Sequence, residues 1–227
     1  MVTITNGALI SRGAEAEIYL VDFFGVKAVV KKRVSKPYRN PVFDKLFIQN
    51  RTRIEAKVLS DLYVEGVRVP AVFLVDEENG VIVMEYVEGT RLSTIFENIS
   101  KDMIVEIAKE VGRAAAKMHS LRIFHGDFTL ANVLLAGQEV VLIDFGLAGY
   151  STDIEEYAID LHLMSRSAYA INPTVADTFV THMFEEYKRS YQGNVDEVLK
   201  RVNEIRARGR YVDRDLRKAL MRDRYVE

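Results

Sequence analysis

The chain has 227 residues, no cysteine, and 31 Lys plus Arg against 33 Asp plus Glu, for a formal charge of −2. Without cysteine there is no disulfide scaffold, no thiolate-ligated zinc, no iron–sulfur cluster and no cysteine nucleophile, and the balanced charge excludes a global basic field that would draw the chain onto nucleic acid. A hydrophobic content of 48% with 28% charged residues excludes disorder over most of the length and suits one large domain or two small lobes.

The opening residues, MVTITNGALISRGAEAE, lack the basic stretch followed by an apolar stretch that marks a secretory signal. The longest apolar runs, Val81–Met84 and Val140–Ile143, are too short to span a membrane. The expectation is a cytoplasmic protein with no membrane segment.

In chain order, Ala16–Asp22 and Val26–Lys32 are predicted strands around a turn at Phe24–Gly25. Val42–Ile48 suggests a short helix. Arg51–Val64 reads as a second helix, with Ile54, Val58, Leu59 and Leu62 at helical spacing, Asn50 as its N-cap and Gly66 as its stop. Val69–Asp76 and Val81–Tyr86 form another strand pair, joined through Asn79-Gly80, a strong hairpin signal. After Gly89 the pattern turns helical. Ser100 caps a helix to Met118, Val133–Leu135 and Val140–Ile143 read as a buried strand pair, and helices follow over about Glu155–Ala170, Pro173–Tyr191 (capped by Asn172) and Val195 onward. The expected domains are residues 1–86, a β-rich lobe with one or two helices, and residues 87–227, a helical lobe ending in a basic tail over about 206–227. From Lys200 to Glu227 there are ten Lys or Arg against five acids. Such a run is either a solvated helix end or a tail that docks on nucleic acid or an acidic partner.

The segment that carries chemistry is His125-Gly126-Asp127-Phe128-Thr129-Leu130-Ala131-Asn132, followed by Val140-Val141-Leu142-Ile143-Asp144-Phe145-Gly146. The pattern is H-x-D-x-x-x-x-N, an apolar strand, then D-F-G. Phosphoryl transfer from ATP needs these groups: Mg²⁺ prefers oxygen ligands, which Asn132 and Asp144 can supply, and a separate carboxylate, Asp127, can orient the attacking hydroxyl and take its proton.

With both motifs in order, the chain resembles the protein-kinase-like superfamily. The resemblance implies an α+β, minimal bilobal kinase fold. It assigns Lys31, in Ala28-Val29-Val30-Lys31, to the α/β phosphates; strand alternation turns the neighbouring Lys32 to the opposite face. Glu55 becomes the ion-pair partner of Lys31. The glycine loop is eroded: Ser11, Gly13 and Ala16 occupy the three glycine places and only Gly13 remains a glycine. Met84-Glu85-Tyr86-Val87 would be the adenine hinge, with Glu85 and Val87 offering backbone groups and Ile18, Ala28, Leu134 and Ile143 forming apolar walls. His119 and His125 are read as structural.

Position 126 is Gly where regulated protein kinases carry Arg, no A-P-E follows D-F-G, and the chain is short for a protein kinase. Asp160-Leu161 reads as the bracing helix acid after a short activation segment. The run Lys31-Lys32-Arg33 … Lys36-Pro37-Tyr38-Arg39-Asn40-Pro41 … Phe43-Asp44 … Arg51-Thr52-Arg53-Ile54-Glu55-Ala56 resembles the small atypical kinase of the KEOPS complex, the p53-related protein kinase family and its archaeal counterparts. That resemblance covers essentially the whole chain, through Arg206-Ala207-Arg208-Gly209-Arg210. It implies an ATP- and Mg²⁺-dependent Ser/Thr kinase or ATPase. It also implies partnership with the complex's metal-dependent subunit, which makes threonylcarbamoyl-adenosine in tRNA, with other KEOPS subunits, and a tRNA contact through the basic tail. H-G-D-x-x-x-x-N is shared by small-molecule phosphotransferases of the aminoglycoside and choline kinase type, but no spare length exists here for their acceptor-binding insertions. A nucleotide-binding scaffold with little catalysis is a third reading, motivated by Gly126 and the eroded loop.

Overall fold

The computed structural model describes residues 7–208. Its elements run β1 (Ala8–Arg12), β2 (Ala16–Phe23), β3 (Val26–Arg33), α1 (Pro41–Val64), β4 (Val72–Asp76), β5 (Val81–Glu85), β6 (Thr90–Arg91), α2 (Leu92–Ile95), α3 (Lys101–Ser120), β7 (Ile123–Phe124), β8 (Val133–Ala136), β9 (Glu139–Leu142), α4 (Ile154–Ile171), α5 (Pro173–Ser190) and α6 (Val195–Arg208). The basic tail expected beyond Arg208 lies outside the described residues.

The chain divides into two compact units. The first runs to Ile95 and takes up Ala131–Gly149. It holds an antiparallel five-stranded sheet in the order β1-β2-β3-β5-β4, and a smaller sheet in the order β6-β8-β9. In β5, Val81, Ile82, Val83 and Met84 are all buried, as expected of a strand covered on both faces. Ala28 and Val30 of β3 pack with Val81 and Val83. Lys31 pairs across the sheet with Ile82, and Ala28 with Glu85, so the strand carrying the lysine lies directly beside the segment read as a hinge.

Three sequence expectations change here. The helices expected over Val42–Ile48 and Arg51–Val64 are one continuous α1. Its N-cap is Asn40, not Asn50: the Asn40 side chain accepts from the Val42 amide at 3.0 Å and the Phe43 amide at 3.4 Å, with Pro41 at the first turn. Asn50 is a mid-helix residue, a placement that costs only a few tenths of a kcal/mol. The helix ends at Val64, with Gly66 at φ 75° as the stop. β4 begins at Val72, three residues later than expected, because Pro70 has no amide to offer a ladder.

The second unit comprises Phe96–Leu130 and the chain from Tyr150 onward, and its described residues are mainly helical. Ser100 accepts from Met103 N at 3.4 Å to start α3, and Asn172 accepts from the Thr174 and Val175 amides to start α5. Ile104, Ile107, Val111, Ala115 and Met118 give α3 a buried stripe, while Met103 lies outside it and is exposed. α3 and α5 pack together at Gly112, where an added Cβ would stand 2.3 Å from the Met183 carbonyl oxygen. Only glycine lets the two backbones approach this closely. No helix of the described residues is long and apolar enough to cross a membrane.

Candidate active site

In the first unit the sheet delivers Lys31 and the helix delivers Glu55. Lys31 Nζ donates to Glu55 Oε1 at 2.6 Å and to Asp144 Oδ1 at 2.7 Å. Lys31 and Glu55 are both buried, whereas the Asp144 side chain is 56% exposed. Burial alone would lower the Lys31 pKa; the Glu55 and Asp144 carboxylates outweigh it and hold the pKa above the ordinary lysine value. Lys32 points to the other face and is exposed, as strand alternation requires.

Alternation also returns Arg33 to the face of Lys31, a placement the motif reading did not use. Its guanidinium donates to Glu55 Oε2 at 2.6 Å, so the two Glu55 oxygens are divided between two cations.

Asp144 stands two residues past the end of β9 and takes φ 61°, in the left-handed region. Aspartate tolerates that region better than most residues, but still at a cost, and such positions concentrate at functional sites. The Gly146 amide donates back to Asp144 Oδ1 at 3.4 Å. Asn132 is buried, and its carbonyl accepts from Ile143 N at 3.0 Å, which fixes the approach of the chain into Asp144.

At the segment read as a hinge, the Glu85 amide donates to the Ala71 carbonyl at 2.8 Å. The Glu85 carboxylate accepts from Arg68 Nη1 at 2.7 Å and Nη2 at 2.6 Å, and from the Ala71 amide at 3.2 Å. The Arg68 hydrogen bonds lower the Glu85 pKa against the opposing effect of partial burial. Arg68 also reaches Glu139 Oε2 at 3.1 Å. Met84, Ala28 and Val87 are buried, while Ile18, Leu134 and Ile143 are half-buried. Gly13 is exposed, and its amide donates to the Ala16 carbonyl at 2.9 Å, closing the small-residue turn ahead of β2.

In the second unit the loop after β7 carries His125, Gly126 and Asp127. Asp160 of α4 is fully buried and holds this loop by its backbone, accepting from His125 N at 2.6 Å and Gly126 N at 2.9 Å. Gly126 takes φ 80°, where a side chain would be strained. His119 is buried, 3.0 Å from the Tyr187 hydroxyl and 3.3 Å from Asp160, and stacks on Tyr157. His125 is likewise buried, within reach of the Asp127 amide at 3.3 Å. Asp127 itself is exposed.

The protein kinase domain model matches residues 6–168. The chain is 39% identical over 217 residues to the KEOPS complex subunit Bud32 of Pyrococcus abyssi, covering 91% of this chain and 97% of that protein. It is 35% identical over 211 residues to the EKC/KEOPS complex subunit bud32 of Dictyostelium discoideum, covering 83% of that protein. A probable bifunctional tRNA threonylcarbamoyladenosine biosynthesis protein of Methanobrevibacter smithii is 38% identical over 203 residues. The match takes in 89% of this chain but 36% of that longer protein. Among solved structures, WaaP in complex with acyl carrier protein matches with a TM-score of 0.62 at 16% identity, covering 86% of this chain and 82% of that one. The Mycobacterium tuberculosis PknI kinase domain matches at 0.56 and 19%, covering 89% and 96%. These two likenesses concern the fold. Protein kinases transfer a phosphoryl group from ATP with a divalent metal. The chain belongs to the protein kinase domain family, in its Bud32 branch, and by that membership is a phosphotransferase of the kinase or ATPase type.

Proposed function

We propose that the chain is an ATP- and Mg²⁺-dependent atypical Ser/Thr kinase or ATPase. It would work in the cytoplasm as a subunit of a KEOPS complex, supporting threonylcarbamoyl-adenosine formation in tRNA by a metal-dependent partner. The observation that carries the reading is the Lys31 ammonium held between Glu55 and Asp144 at 2.6 and 2.7 Å. A scaffold gains little from a buried lysine with two carboxylates, because an apolar residue at such a site is often as stabilising.

Each side chain then has a task. Lys31 binds the α/β phosphates and Glu55 aims it. Gly13 and the turn to Ala16 offer backbone amides to the phosphates. The Glu85 amide is committed to Ala71, so this residue serves the adenine through its carbonyl, while Val87 serves through its own backbone and Ile18, Ala28, Met84, Leu134 and Ile143 wall the base. Asp127 orients the attacking hydroxyl or water and accepts its proton.

Among the described residues no three His, Asp or Glu side chains cluster as a metal cage. Mg²⁺ does not require one, since it is commonly held by one or two carboxylates together with substrate phosphates and water. The exposed Asp144 carboxylate and the Asn132 amide suit that donor set, and the ion would neutralise charge developing on the phosphates. The basic tail is assigned to the partner subunit or to tRNA.

The test follows γ-labelled ATP, alone and with the purified tRNA-modifying subunit, into protein, into free phosphate and into a panel of aminoglycosides and choline. Label in protein or phosphate supports the reading. Label confined to a small molecule would replace it with the small-molecule phosphotransferase, and no turnover in any mixture would replace it with the scaffold.

A further inference from the structure

We propose that Arg33 is a positioning residue of the phosphate site: as a second cation on Glu55, it keeps that carboxylate in place when Lys31 engages nucleotide. The inference rests on the assignment of Lys31 to the ATP phosphates.

Lys31 has two carboxylate partners, Glu55 and Asp144. When its ammonium is shared with phosphate oxygens, a Glu55 side chain only 2% exposed is compensated less fully by Lys31 alone. A buried carboxylate that is incompletely paired is disfavoured. Arg33 removes that difficulty, because it occupies the other Glu55 oxygen at 2.6 Å and is itself 4% exposed. Before nucleotide arrives, Lys31 and Arg33 face Glu55 and Asp144, with the more exposed Glu15 at the rim of the cluster. With Lys31 shared between phosphate and Glu55, Arg33 supplies the second cation on Glu55.

Arg33 reaches further than Glu55. Its Nη2 stands 3.5 Å from the Gly146 carbonyl, in the loop that begins at Asp144. Its Nη1 is 3.8 Å from Glu15, in the turn that closes over Gly13. The guanidinium therefore touches the phosphate-side turn, the helix carboxylate and the segment after β9 at once. Its Nε has no hydrogen-bond partner among the described residues, so donor capacity is left over at this junction.

The experiment compares Arg33→Met and Arg33→Lys with wild type, and uses Lys31→Ala as control. The affinity for a fluorescent ATP analogue with Mg²⁺, the KM and kcat for ATP, and the melting temperature are measured for each full-length protein. Arg33→Met is expected to weaken nucleotide binding and raise KM by about tenfold, with kcat changed less. Arg33→Lys, which retains a charge beside Glu55, is expected to stay within about threefold of wild type. The two variants should melt together, so that the difference between them reports charge rather than packing. Wild-type affinity in Arg33→Met, or an equal loss in Arg33→Lys, would overturn the proposal. Should Arg33→Met not fold, Arg33→Lys decides alone: affinity within about threefold supports the role and a loss of about tenfold refutes it. If Lys31→Ala binds nucleotide as well as wild type does, the phosphate-site assignment itself fails, and that outcome is separate from any behaviour of Arg33.

Discussion

The His125 amide donates to Asp160 Oδ2 at 2.6 Å across 35 residues of sequence, and so helps to anchor the loop that carries Asp127. The same carboxylate accepts the Gly126 amide through its other oxygen and lies against His119. Asp160 is therefore the acceptor for two backbone donors at once, in a site with no exposure. Asp160→Ala would strand both. The expected loss is about 3–5 kcal/mol of unfolding free energy, read from urea denaturation of the wild type and the variant. A loss below about 1 kcal/mol would show that the loop is held by something else.

Arg68 and Glu85 give a pH dependence with a definite sign. The Glu85 pKa lies below the ordinary glutamate value of 4.5, chiefly because Arg68 hydrogen-bonds the ionised form. A group depressed on folding stabilises the protein above its unfolded pKa, and that contribution is lost as pH falls through the folded value. The stability difference between wild type and Glu85→Gln should be constant from pH 8 to about 5, at about 1–2 kcal/mol, and shrink below 4.5. Chemical denaturation at a series of pH values measures it. A difference that grows on acidification would contradict the pairing.

Gly112 predicts a packing defect of known direction. The missing Cβ is what allows α3 to approach the Met183 carbonyl, and a backbone oxygen cannot rotate away as a side chain can. Gly112→Ala should destabilise by about 1–3 kcal/mol although alanine is the better helix former. A thermal melt settles the sign: an increase in melting temperature would mean that the helices separate at no cost.

How much of this was legible in the sequence depends on what kind of signal a residue leaves. Asp127, Asn132, Asp144 and Lys31 stand in linked motifs at fixed spacing, which marks them as candidates without a fold. Glu55 followed from helical position, and the structure joins it to Lys31. Asp160 was readable as a bracing acid, but not its two amide partners, because backbone donors leave no mark in sequence. Arg33 was overlooked although period-two alternation from Lys31 places it on the same face. β1 was missed for a physical reason: every residue of Ala8–Arg12 is exposed, so no apolar alternation marks it, and only its ladder to β2 makes it a strand. Asn50 misled because asparagine favours caps, while the continuous burial of Thr52, Glu55, Ala56 and Leu59 on α1 overrides that preference.

As proposed, Lys31, Glu55 and Asp144 form a working phosphate and metal site. The most direct test is turnover of γ-labelled ATP by wild type and by Asp144→Ala, each at matched fold and each with and without the tRNA-modifying partner. Wild type is expected to release phosphate or label protein, and the variant to lose at least about 100-fold. Undiminished turnover by Asp144→Ala would contradict the account.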